Sequence, residues 1–279
     1  MRQQLKLPAE LDGNLWHYRH HGRANAMHHH AELEFNLITQ GHGLYLLANR
    51  KYQIRRGDLL WLFPAQEHVL IEQSPDFKMW IGVAKPNTVR RIATDASAKV
   101  LRLANPAGEY CRRLSQPALA RLETLLGEIA ATREHPGLFN AGLHYALLAA
   151  WQHFEHAADV PVHDVHPAVE KAARHIRDQN NTLGLNELAR HAGLSAPRLS
   201  RLFKQQTGIA LVDFRNRQRV EKFLALYRTG QRMTMLEAAL EAGFGSYPQF
   251  HRVFKRVTGS SPQTHRRKGT KLQHPSSRE

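Results

Sequence analysis

The chain has 279 residues, 42% hydrophobic and 23% charged, which suits about two domains with real cores. A single cysteine, Cys111, excludes an intrachain disulfide and a cysteine-based zinc finger, and no apolar run approaches the roughly 18 residues of a membrane-spanning helix. Of the net charge of +15, residues 164–279 hold 21 Lys and Arg against 9 Asp and Glu, net +12, which leaves +3 for the first 163 and gives the C-terminal part the electrostatic footprint of a polyanion binder.

The N-terminus, MRQQLKLPAELDG, carries no apolar run of the secretory kind, so a cytoplasmic protein with no membrane partner is expected. Between residues 30 and 85 the chain reads as short extended segments, LEFNLITQ, GLYLLANRKYQIR, GDLLWLFP, HVLIEQ and KMWIGVA, parted by Gly, Asn, Pro and Asp. Such runs predict a β-barrel or sandwich. GRANAMHHHAELEFNLITQG sets Gly22, His28, His30, Glu34 and Gly41 at the fixed positions of the first cupin motif, and Gly57 with His68 keeps the spacing of the second. Phe63, Ala65 and Glu72 depart from that second motif. Residues 1–112 therefore resemble a cupin, a jelly-roll-like effector-sensing barrel.

His28 and His30 alternate along a strand and Glu34 lies an even number of residues further on, so the three share one face. With His68 from a neighbouring strand they form a candidate site of three histidines and a carboxylate for a divalent metal. The same four residues read equally well as the polar lining of an effector pocket, or as groups that bond one another. His29 is expected to face outward, while Trp61, Trp80, Phe35 and Tyr45 either line the pocket or belong to the barrel wall.

From about residue 117 the period lengthens. Leu119, Leu122, Leu125 and Ile129 fall on one helical face, and Leu143, Leu147, Ala150, Trp151 and Phe154 on another, with EHPGLFN as the break. Residues 113–162 thus predict a helical hairpin whose apolar stripes bury against a second copy of the chain or within their own subunit. EHAADVPVHDVHP has the composition of an interdomain linker.

Residues 163–279 contain one unit twice, LARHAGLSAPRLSRLFKQQTG and AALEAGFGSYPQFHRVFKRVTG. In the first, Leu185, Leu188 and Ala189 face inward on a short helix, Gly193 permits a tight turn, and Ser195 caps a second helix that buries Leu199, Leu202 and Phe203. In the second, Met235, Ala238 and Ala239 precede Gly243, and Ser246 caps a helix burying Phe250, Val253 and Phe254, with one extra turn residue. Ser246 and Gln249 have capping-box spacing, and Pro197 and Pro248 fall in first turns, where a missing N–H is tolerated. The outward sides carry Arg198, Ser200, Arg201, Lys204 and Gln205 in one copy and Tyr247, Gln249, His251, Arg252 and Lys255 in the other. Arg, Gln, Ser and Lys near a helix start are the side chains that reach base edges and phosphates when the helix enters a major groove. ALVDFRNRQRVEKFLALYR joins the copies as one helix whose apolar side is Phe214, Val220, Leu224 and Tyr227, about 30 Å for roughly twenty residues. That is close to one turn of B-DNA, so it suits two recognition helices in successive groove segments. Arg215, Arg217 and Arg219 on it read either as phosphate contacts or as a solvated face.

These motifs, over roughly residues 165–267, are similar to the AraC/XylS family of bacterial transcription regulators, in one large subgroup of which a cupin-type barrel is the sensor. His265 stands where the family usually has an aromatic residue, and Pro248 is unusual for it. The resemblance implies base-reading positions at Pro197, Ser200, Arg201, Gln249, His251 and Arg252. It also implies a homodimer that binds operator DNA under a small-molecule effector, most often as an activator engaging RNA polymerase, and not an enzyme. The fold class expected is α+β: a β-barrel with a helical hairpin, then an all-α domain of two helix-turn-helix motifs on a long helix. The competing expectation is a metal-dependent cupin enzyme or metal sensor fused to a DNA-binding domain. A nonspecific architectural protein is a third.

Overall fold

A computed structural model describes residues 7–20, 32–47, 49–66, 68–178, 183–228 and 233–264. The chain forms two compact units that divide between Glu170 and Lys171.

In the first unit β1 (Gly13–Arg19), β2 (Leu33–Gln40), β3 (His42–Leu47), β4 (Arg50–Arg55), β5 (Asp58–Leu62), β6 (His68–Gln73) and β7 (Lys78–Ala84) follow in sequence. After β7 come α1 (Pro86–Ile92), a 3₁₀ turn (Ala98–Arg102) and β8 (Cys111–Arg113), then α2 (Gln116–Ala131), α3 (Pro136–Glu155), β9 (Ala158–Asp159) and β10 (Val162–Asp164). One sheet has the order β1-β7-β2-β5-β8-β9 and the other β10-β4-β3-β6, all pairings antiparallel. The expected barrel is thus present as a two-sheet sandwich.

Alternation sorts the side chains. Ile38, Leu60, Leu62, Ile81 and Val83 of the first sheet meet Tyr45, Leu47, Tyr52, Ile54 and Leu70 of the second in one cluster. The other face of the first sheet presents Leu33, Phe35, Leu37, Leu59 and Trp61, which α2 and α3 cover with Leu119, Leu122, Leu126, Leu143, Leu147 and Trp151. Phe35 lies over Gly82, its cross-strand partner, where a Cβ would come within 2.3 Å of the ring. This register decides between the two alternatives for the aromatics: Phe35, Trp61 and Trp80 pack on the helix side, and Tyr45 faces the space between the sheets. Leu126 rather than Leu125 completes the buried stripe of α2.

Two polar ties fix the ends of this unit. Asp58, fully buried, accepts from Arg113 Nε at 2.7 Å and Nη2 at 3.0 Å and from the Arg55 amide at 2.8 Å. Asp12 accepts from Arg91 Nη2 at 2.6 Å and lies 2.8 Å from His144 Nε2, while its amide donates to Asn140 Oδ1 at 2.8 Å. The stretch read as a linker is woven into the sandwich instead, since β9 pairs with β8 of one sheet and β10 with β4 of the other. Unit one therefore runs past the boundary expected at 162.

The second unit contains the rest of α4 (Pro167–Asp178), then α5 (Leu185–His191), α6 (Ala196–Thr207), α7 (Leu211–Arg228), α8 (Met235–Glu241) and α9 (Tyr247–Thr258). Phe214 near the start of α7 packs on Phe203 of α6, with ring centroids 5.5 Å apart, and Phe223 further along packs on Phe250 and Phe254 of α9 at 4.4 and 5.6 Å. One helix thus carries both reading helices on its apolar side.

Candidate nucleic-acid interface and sensor interior

Both copies of the repeated unit are built by the same backbone device. α5 ends at Gly193, φ 73°, with Gly193 N–H bonded to Arg190 O and Leu194 N–H to Ala189 O. α8 ends at Gly243, φ 89°, with Gly243 N–H to Leu240 O and Phe244 N–H to Ala239 O. This is the 5→2 and 6→1 pair of a Schellman turn, whose left-handed residue is strained for any side chain with a Cβ. The extra turn residue of the second copy is Gly245. α6 and α9 then start at Ser195 and Ser246 and stop at Gly208 and Gly259, both left-handed, and the hydroxyls of Thr207 and Thr258 donate back to Phe203 O and Phe254 O at 2.7 and 2.9 Å.

The capping differs between them. Ser246 Oγ accepts from Gln249 N at 3.3 Å, and Gln249 Oε1 reaches back to the Gly245 amide at 2.9 Å, whereas Ser195 makes no side-chain cap bond. The complete capping box belongs to Thr234 and Glu237 at the start of α8.

The exposed sides answer each other. Arg201 and Lys204 of α6 align with Arg252 and Lys255 of α9, and these four with Pro197 and Arg198 are exposed. Among the described residues Arg198, Arg201, Lys204, Arg252 and Lys255 make no ion pair, while neighbouring Arg256 holds Asp213 at 3.3 Å. These uncommitted cations stand on one side of two equivalent helices, the arrangement a polyanion requires. Ser200, Tyr247, Gln249 and His251 are half-buried. Tyr247 has a partner inside the unit, its hydroxyl 3.3 Å from Met235 Sδ and its ring against Phe250, and the Gln249 carbonyl is used by the cap.

The arginines of the joining helix fit neither alternative read for all three. Arg215 and Arg219 are buried, Arg215 donating to Leu183 O and Arg219 lying 5.8 Å over the Phe244 ring. Burial, with the Arg215 charge added, pulls Arg219 down to about 10. They are struts of the fold; Arg217 alone of the three is exposed. α4 was missed in sequence, although Val169, Ala172, Ala173 and Ile176, all buried, have the i, i+3, i+4, i+7 spacing that marks a helix face.

In the first unit Glu34 and Asn36 of β2 and His68 of β6 all face the space between the sheets, because Glu34 pairs with Leu62 and Val83, Asn36 with Leu60 and Ile81, and His68 with Leu47. Glu34 is buried at 7% exposure, His68 is half-buried beside Tyr45 with centroids 6.3 Å apart, and Asn36 Nδ2 donates across to Tyr45 Oη at 3.4 Å. His28, His29 and His30 lie outside the described residues. Among the described residues no cluster of three ligating side chains forms.

Residues 9–148 match the family of AraC-like ligand binding domains, and residues 188–268 match a helix-turn-helix domain family. The arabinose operon regulatory protein of Escherichia coli K12 is 28% identical over 259 residues, covering 83% of this chain and 79% of that protein. The HTH-type transcriptional activator RhaR of Escherichia coli O139:H28 is 24% identical over 243 residues, covering 85% of each. Among solved structures, that of ToxT from Vibrio cholerae O395 aligns with 91% of this chain and 96% of its own at 14% identity and a TM-score of 0.40.

Proposed function

The chain belongs to the AraC family of transcription regulators, with a ligand-binding N-terminal domain and a helix-turn-helix DNA-binding domain, and on that premise we propose how it works. α6 and α9 enter successive major-groove segments on one side of the duplex. Arg201 and Arg252 read bases, with Ser200, His251 and the amide N–H groups of Gln249 beside them, and Arg198, Lys204 and Lys255 hold phosphates. Pro197 and Tyr247 contribute van der Waals contact. The observation that carries this reading is the internal symmetry: two turns that share one Schellman geometry present, at matching positions, Arg and Lys that make no ion pair among the described residues.

A small molecule binds the sandwich interior and changes DNA occupancy by favouring one conformation over another, since equal affinity for both would shift nothing. The names of two relatives, an operon regulatory protein and a transcriptional activator, support a role in activation, and we assign to that role engagement of RNA polymerase in the cytoplasm.

Two copies associate through the hairpin. Its apolar stripes are spent on the first sheet, so the contact falls on the opposite side, in a groove of about 710 Å³ between α2 and α3 lined by Arg121, Leu125, Tyr145, Ala149 and His153. Tyr145 there is 63% exposed. Selecting genomic fragments bound by the purified protein and footprinting them tests the whole reading. Two protected groove segments per chain are expected, and unselective binding would refute it. Metal analysis of the same preparation tests the alternative that needs His28, His30, Glu34 and His68 together.

A further inference from the structure

We propose that Gln249 reads DNA as a donor only: its fixed side-chain amide selects a keto base, guanine or thymine, at one position of the segment that α9 enters, and rejects adenine and cytosine there. The inference rests on the reading of α9 as a recognition helix and adds the code of one of its side chains.

A glutamine with both ends of its amide available reads adenine, donating to N7 and accepting from N6. Gln249 has only one end available. A main-chain N–H can only donate, so the side-chain atom 2.9 Å from the Gly245 amide is the carbonyl oxygen, Oε1. The main-chain N–H of Gln249 donates in turn to Ser246 Oγ at 3.3 Å, so the residue is tied to the start of α9 through both its backbone and its side chain. What is left is Nε2 with its two hydrogens, which has no partner among the described residues. Gln249 is half-buried and stands three residues before the exposed Arg252, one turn away on the same side of the helix, so its NH2 is offered beside the guanidinium that reads the groove.

The two copies of the repeated unit differ at this point. Gly245 is the residue that the second turn has and the first lacks, and Ser195 of the first makes no side-chain cap bond. The third place after the cap on α6 belongs to Arg198, exposed and in no ion pair among the described residues. A long cation there can swing through many directions, whereas the added glycine holds its counterpart on α9 in one. Capping alone does not call for glutamine, because a glutamate would accept from the Gly245 amide equally well and its charge would suit a helix start. The NH2 is the part of Gln249 that the cap leaves unexplained.

Groove chemistry then decides the base. Guanine presents O6 and N7 and thymine presents O4, all acceptors, while cytosine and adenine place an amino donor at the corresponding edge. A donor held against a donor leaves both without a partner, which is costly where the interface excludes water.

The test measures affinity of the full chain for its selected site and for duplexes carrying the other three base pairs at each position of the second protected segment, in wild type, Gln249→Glu and Gln249→Met. At one position the wild type is expected to bind G·C and T·A, read along one strand, about tenfold more tightly than A·T and C·G. Gln249→Glu keeps the bond from Gly245 and puts an acceptor where the donor was. Its melting temperature is expected to hold or rise, and the preference at that position to invert to A·T and C·G. A new negative charge weakens all sequences alike, and that loss cancels in the ratio. Gln249→Met, similar in length but without an N–H, should level the four pairs there. Selection of a single A·T or T·A pair at the responding position, one base pattern shared by all three proteins, or a loss in Gln249→Glu that is equal for every sequence would overturn the proposal. If Arg252→Ala relaxes a base position while Gln249→Glu moves none, only this code is refuted; a chain that binds every duplex alike refutes the recognition-helix reading itself.

Discussion

Arg201 and Arg252 occupy the same place on two helices, exposed and outside any ion pair among the described residues, so each has its full hydrogen-bonding fork to spend on a base. Replacing either with alanine is expected to cost about 1–3 kcal/mol of binding to the selected site and to relax preference at one base position. Lys204→Ala or Lys255→Ala should instead weaken all sequences alike and reduce the salt slope by about one, as read by binding titrations at several salt concentrations. Arg215→Ala belongs to a different class. It removes a buried donor from Leu183 O, so a lower melting temperature is expected, with base preference unchanged. A charge pattern cannot separate these arginines in sequence; the burial of Arg215 and Arg219 is decided by what α7 packs against. Asp12 yields a pH prediction. Burial pushes its carboxyl up, but the bonds from His144 and Arg91 and the Arg91 charge outweigh it and hold it below the ordinary range. A depressed folded value stabilises at pH above the unfolded value, about 4, and that stabilisation is lost as pH falls through the folded value. Melting curves should show an acid-side loss that Asp12→Asn removes.

At the scale of elements, the glycine turns are the sharpest points of failure. Gly193→Ala or Gly243→Ala places a Cβ on a left-handed residue and is expected to destabilise the second unit by about 1 kcal/mol or more, measured by thermal unfolding. Gly82→Val forces a side chain into the Phe35 ring and should loosen the first sheet from the hairpin, with a larger loss. The helix-turn-helix units were legible because turn glycines, caps and 3.6-residue periodicity are local signals. The helices of the hairpin were legible for the same reason, though its packing partner was not, because a stripe records burial without naming what covers it. β9 and β10 escaped notice because strands of two and three residues beside a proline look like a linker until their sheet partners are known. In the sensor, the strand register sends Phe35, Trp61 and Trp80 to the helices and Glu34 with Asn36, which no motif marks, to the interior, while the face expected to be common to Glu34, His28 and His30 involves histidines outside the described residues.

For the whole molecule, the eighteen residues of α7 span about 27 Å, and phenylalanines near its start and further along clamp both reading helices to it. A rigid strut tolerates no change of phase. Inserting five base pairs between the two protected segments should therefore cost a single chain its contact with the second segment, and so should ten, which restores the phase but adds about 34 Å that the strut cannot span, as gel-shift titration will resolve. Tyr145→Glu is expected to convert dimer to monomer in sedimentation while leaving the fold and single-site DNA binding in place. The differing side chains on the two heads, Arg198 and Ser200 on one and Gln249 and His251 on the other, have a last implication. Because one covalent chain fixes which head comes first, each protomer reads an address with a direction, like a word rather than a palindrome. Flipping that address end to end beside a promoter presents a different message, so genomic sites are expected to fall in fixed orientations relative to the genes they serve.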